Sequence, residues 1–229
     1  MSEAEWRTSS NVPEMLGWLA WGMQPARKWN LFSLACIEPI RSHLSDPRLT
    51  AALDVLAKHA EGECDFQELL NASQNADAAM EAILDDPSEQ RWFYIQLAAA
   101  EAVAFATNPV NMEDDFAVPA RCATVLAWSA EPKYEATVRQ QANSQHVALV
   151  HEIFGNPFRP VELDPLWLTF DVQTLASGIY DAQAFDRMPI LADALQDADC
   201  DNSDVLSHCR DLHAGHVRGC WVLDLLLRK

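Results

Sequence analysis

The chain has 229 residues, 49% hydrophobic and 22% charged, which is the balance of a folded globular protein rather than a disordered one. Thirty-four acids against 16 Lys and Arg give a formal charge of −18. That charge opposes binding to nucleic acids and anionic membrane surfaces, because both need cations to displace counterions or meet anionic headgroups. The seven glycines contain no G-x-G pair, so dinucleotide-binding and P-loop fingerprints are absent, as is the G-x-S-x-G nucleophile elbow. The opening Met-Ser-Glu-Ala-Glu-Trp has no basic leader and no stretch reaches 18 consecutive apolar residues, which predicts a cytoplasmic protein with reduced thiols and no membrane span.

Helical periodicity recurs along the chain and sustained strand-type alternation does not. A first helix is predicted from about Pro13, capped near Asn11, with Met15, Leu16, Leu19 and Ala20 on its apolar face. A second covers about Arg27 to Leu44 and should kink or divide at Pro39, which cannot donate the helical hydrogen bond. Asp46-Pro47 caps a third, with Leu49, Leu53, Leu56 and Ala60 on one side. Asp65-Phe-Gln-Glu68 reads as a capping box opening a short helix, followed by a separate one over 73–85. Ser88 is the predicted cap of a long helix carrying Trp92, Ile95, Ala99, Val103 and Ala106, stopped by Asn108-Pro109. Two further helices are predicted over 117–130 and 134–154.

The texture changes at Gly155. Gly-Asn-Pro-Phe-Arg-Pro160 carries two prolines and cannot be a regular helix, while Phe158, Trp167 and Phe170 are too apolar to be left in water. Four shorter helices are predicted near 172–182, 187–198, 202–211 and 216–228. The expected architecture is all-α. An antiparallel helical bundle spans 1–154, and a C-terminal subdomain of short helices, 155–229, packs on it through the Pro/aromatic connector.

Phe154-Gly-Asn-Pro-Phe-Arg-Pro160, Phe185-Asp-Arg-Met-Pro-Ile-Leu-Ala-Asp-Ala-Leu195 and His216-Val-Arg-Gly-Cys-Trp-Val-Leu-Asp-Leu-Leu226 together resemble an uncharacterised family of bacterial proteins. Glu3-Ala-Glu-Trp6 and Arg27–Cys36 resemble the same family's N-terminal pattern. The resemblance implies a common fold and carries no activity, cofactor or catalytic residue.

One constellation bears chemistry. Cys200, His208, Cys209, His213, His216 and Cys220 lie close together in sequence, and thiolate and imidazole are natural ligands of zinc. With helices 202–211 and 216–228 paired as a hairpin, Cys209, His213, His216 and Cys220 form the candidate metal site. The competing reading makes the cysteines small core residues and gives His208 to the negative end of its helix. A Cys209/His216 nucleophilic pair is a further option, with no third group to orient it. Arg159 and Arg187 are expected to pin loops through their five donors. Trp18 and Trp21, three residues apart, are candidates for an exposed docking face.

No catalytic motif is recognisable, and the reading leans away from an enzyme. The expected function is a protein-interaction or structural module with a protein partner, and the alternative is a zinc-binding protein or metal-dependent enzyme using the C-terminal Cys/His cluster.

Overall fold

The computed structural model describes residues 1–22, 24–85, 90–109, 116–212 and 214–229. The predicted Ser88 cap lies outside these residues, as does His213. Among the described residues the fold is all-α, with no strand. Among them, too, no helix is long and apolar enough to cross a membrane. The chain divides into two compact units, Met1–Val150 and His151–Lys229.

The first unit holds α1 (Glu3–Thr8), α2 (Val12–Trp21), α3 (Ala26–Ile37), α4 (Pro47–Ala60), α5 (Phe66–Asp85), α6 (Gln90–Thr107), α7 (Val118–Ser129) and most of α8 (Glu135–Phe154). Helix α1 lies upstream of the first predicted helix. It starts with a reciprocal capping box, in which the Ser2 hydroxyl accepts from the Glu5 backbone and the Glu5 carboxylate accepts from that of Ser2. Pro39 divides the second predicted helix as expected: α3 ends at Ile37 and a 3₁₀ segment, Glu38–His43, follows. The two short helices expected after Asp65 are one helix, because the stripe Leu69, Ala72, Ala76, Ala79 continues without a break. Asp65 still caps it, accepting from the Glu68 backbone at 2.9 Å.

The core of this unit is built from small side chains as much as large ones. In α4 the predicted stripe Leu49, Leu53, Leu56, Ala60 is buried. In α6, Ile95, Ala99 and Val103 are buried, and so are Ala98, Ala100 and Ala102 beside them. Alanine on several faces lets α5 and α7 pack closely on α6, at little cost in side-chain entropy. Trp92, placed by periodicity on the buried stripe, is instead half exposed. Its neighbour Phe93 lines a surface cleft with it, because the apolar face of α6 begins one turn later.

The second unit holds the last turn of α8 and α9 (Phe170–Ala182), α10 (Met188–Asp197), α11 (Ser203–Arg210) and α12 (Trp221–Leu227). Thr169 caps α9 by accepting from the Val172 backbone at 3.3 Å, and Asn202 caps α11 by accepting from Asp204 and Val205 at 3.0 and 3.1 Å. Val172, Ile179, Met188, Leu191, Leu195 and Leu223 are fully buried in one core, into which Cys200, Cys209 and Cys220 also pack. Arg159 pairs with Asp204 at 3.4 Å, so it joins the connector to α11 by an ion pair. The last helix is shorter than predicted. The chain over 214–220 is irregular, Gly219 takes φ +95°, and Cys220 is the residue before α12. A helix begun at His216 would need Gly219 to be right-handed, and it is not.

Candidate metal centre

Gly155 ends α8 in the left-handed region, at φ +67°, with its N–H donating to the His151 carbonyl at 3.0 Å. This leaves Glu152 on the final turn of the helix, 5% exposed. His208 is carried by α11, whose start is fixed by the Asn202 cap. His216 and Cys220 come from the irregular segment and its end. There the Cys220 N–H donates to the Val217 carbonyl at 3.0 Å and the Cys220 carbonyl accepts from Asp224 at 2.9 Å, opening α12.

These four side chains converge. One ligand atom from each of Glu152, His208, His216 and Cys220 lies within 4.8 Å of all the others. His216 Nδ1 is 3.1 Å from Glu152 Oε1, to which the Val217 N–H also donates at 3.4 Å. His208 Nε2 is 3.3 Å from Glu152 Oε2 and 3.2 Å from the Cys220 sulfur. Donors about 2.0–2.1 Å (N, O) and about 2.3 Å (S) from a tetrahedral ion stand about 3.3–3.6 Å apart. The three contacts at 3.1, 3.3 and 3.2 Å are each within a few tenths of an ångström of such a separation, the two histidines meeting different oxygens of the Glu152 carboxylate. The two imidazoles meet edge to face at 4.9 Å, and Trp221 tilts on the His208 ring at 5.2 Å.

The electrostatics favour a cation. Burial pushes the His208 imidazole below its ordinary value, outweighing the Glu152 carboxylate, so near neutral pH the ring keeps a lone pair to donate. Burial first, and then Glu152, push the Cys220 thiol well above its ordinary value. Among the described residues no Lys or Arg lies within 4.0 Å of Glu152; the side chains that meet its carboxylate are the two imidazoles. His216 Nε2 is buried without a partner, so the polypeptide leaves part of that ring's bonding capacity unused.

Of the residues expected to ligate, His216 and Cys220 are in this group. Cys209 lies outside it, in the apolar core, its thiol pushed up by burial to about 12, which also disarms it as a nucleophile. His213 lies outside the described residues. Glu152 and His208 complete the set. Glu152 stands 64 residues before His216 and no local spacing points to it. His208 was visible in the Cys/His run but read as a helix-end charge.

A second His contact has a simpler reading. Ser129 Oγ lies 2.9 Å from His43 Nε2 but donates its proton to the Val125 carbonyl at 2.7 Å, so it accepts from the ring and is no activated nucleophile.

Fold and site thus define an all-α protein whose second unit gathers one carboxyl, two imidazoles and one thiol. Comparison of the chain with family models, curated proteins and solved structures finds no match.

Proposed function

We propose that this chain is a zinc-binding protein, with one ion held in the second unit by Glu152, His208, His216 and Cys220. The observation that supports the reading is the meeting of a carboxyl, a thiol and two imidazoles, with one ligand atom of each within 4.8 Å of all the others and Glu152 and Cys220 buried. A divalent ion balances the carboxylate and thiolate, giving a centre of zero net charge, the form in which charge is cheapest to bury. Mixed N, O and S donors suit a borderline-soft d¹⁰ ion better than Mg²⁺ or Ca²⁺, which take oxygen. Four protein ligands leave no coordination position for substrate, so the ion's role is structural: it ties the end of α8, α11 and the 214–220 segment together.

The test is elemental analysis of the purified full chain. About one zinc per chain is expected, as for a closed structural site, lost in Cys220→Ala and His216→Ala and retained in Cys209→Ala. Cobalt substitution should give a thiolate charge-transfer band that Cys220→Ala removes. A chain that stays metal-free in the presence of excess zinc, or whose zinc survives Cys220→Ala, overturns the reading.

A protein-docking role has its own observation. Trp92, Tyr94 and Tyr134 of the first unit are about half exposed, and aromatic side chains are the commonest anchors of interfaces. A partner that co-purifies with the chain and is lost in Trp92→Ala/Tyr94→Ala would support it.

A further inference from the structure

The first unit contains a cleft of about 380 Å³, at the lower end of the range for small-molecule sites. Its apolar wall is Val12, Phe116, Pro119 and Ala123. The Phe116 ring is held against Trp29 at 5.4 Å, so that wall is propped from the core. Opposite it, Arg139 and Asn143 project from successive turns of α8.

Arg139 is the unusual member. In a chain with 34 acids, its guanidinium has no Asp or Glu within 4.0 Å among the described residues. Its one hydrogen bond goes to the neutral Thr124 hydroxyl, from Nη1 at 3.2 Å. Most of its five donors remain for a ligand, in a planar fork that fits a carboxylate. The Asn143 amide beside it is likewise uncommitted among the described residues. Arg41, Arg91 and Arg121 of the same unit are paired, with Asp54, Glu135 and Glu101, and Arg7, which has no such pair among the described residues, stands exposed at the end of α1 rather than in a cleft.

We propose that this cleft binds a small organic monocarboxylate with a flat apolar body, its carboxylate on Arg139 and Asn143 and its body against Phe116 and Pro119. One cation matches one negative charge. The apolar wall supplies the remaining affinity, which the chain's net charge of −18 works against for any anion. The site is independent of the metal centre: it uses no residue of the second unit.

The experiment titrates the full chain with phenylacetate and with its neutral isostere phenylacetamide, followed by amide and arginine side-chain NMR shifts. Phenylacetate should bind at least about tenfold more tightly than the amide, the worth of a charge-assisted pair. Arg139→Gln should reduce the acid to the level of the amide. Ala120→Leu, which narrows the cleft from its rim and leaves the guanidinium intact, should weaken both. Circular dichroism of each variant checks its fold, and if Arg139→Gln does not fold, the Ala120→Leu titration decides. No saturable shift with phenylacetate, equal binding of acid and amide, or shifts at Arg139 and Phe116 unaltered by Ala120→Leu would overturn the proposal. Chelating the chain's metal should change none of these results.

Discussion

In the first unit, α4, α5 and α6 are 14 to 20 residues long and bury stripes of Leu, Val and Ala against one another. In the second, α9 to α12 run only 7 to 13 residues, and two irregular stretches interrupt them. Long amphipathic helices propagate their own hydrogen bonds and need only a face to bury. Short ones leave a larger share of end groups and loop backbone to be fixed by other means. The second unit uses side-chain caps, left-handed residues and a cluster of polar donors for this. The contrast teaches that a small helical unit can organise around a few buried polar side chains where hydrocarbon alone does not suffice.

The largest test of that contrast is metal removal. Zinc at 100 to 1,000 times its dissociation constant should stabilise the second unit by about 3–4 kcal/mol. A chelator should therefore shift an unfolding transition reported by α9–α12, while amide exchange in α4–α6 stays as it was. If both units lose protection together, the units do not differ in this way.

Acid should reveal a buried imidazole of the first unit. His146 is 3% exposed, and burial lowers its imidazole from 6.5 to about 4. Between these values the unfolded chain binds more protons than the folded one, so stability falls as pH drops from about 6.5 towards about 4, by about 3 kcal/mol at most. Denaturant titrations of His146→Gln across that window should show a shallower pH slope than wild type. An unchanged slope would mean that the ring binds its proton equally in the folded and unfolded chain.

Gly155→Ala probes the second unit's geometry rather than its donors. A β-carbon there meets the Trp221 ring at 3.2 Å, and φ +67° disfavours any L side chain. The expected loss is about 2 kcal/mol from strain and displacement of Trp221 together. Because Trp221 leans on His208, zinc affinity should fall as well, read by competition with a chromophoric chelator.

The smallest effect is at a cap. Asn202→Ala removes the acceptor for two N–H groups of α11 and should cost about 1 kcal/mol, measured by denaturation. If it also weakens zinc binding, the α11 cap helps to hold His208 in place.

The all-α class and most helices were legible because apolar spacing repeats over several turns, as in Leu49–Leu53–Leu56. Proline and Asp or Asn marked where helices begin, at Asn11 and Asp46. Helix α1 was equally legible in principle, since Ser2 and Glu5 stand at capping-box spacing, but six residues carry too little periodicity to draw notice. The start of α12 was misplaced because Gly219 looks neutral in a pattern and is decisive in its backbone angle. The site was half legible for a related reason. His216 and Cys220 are near neighbours in sequence, whereas Glu152 joins them only once the chain has folded back, and an acid in an acidic chain carries no signal of its own.

The close approach of position 155 to the Trp221 ring has an evolutionary consequence. Descendants of this gene that keep a large ring at 221 should be held to glycine at 155, whereas a lineage that trims the ring is released from half of that constraint. Substitutions at the two sites should therefore be inherited in a fixed order, the ring shrinking before the glycine is replaced.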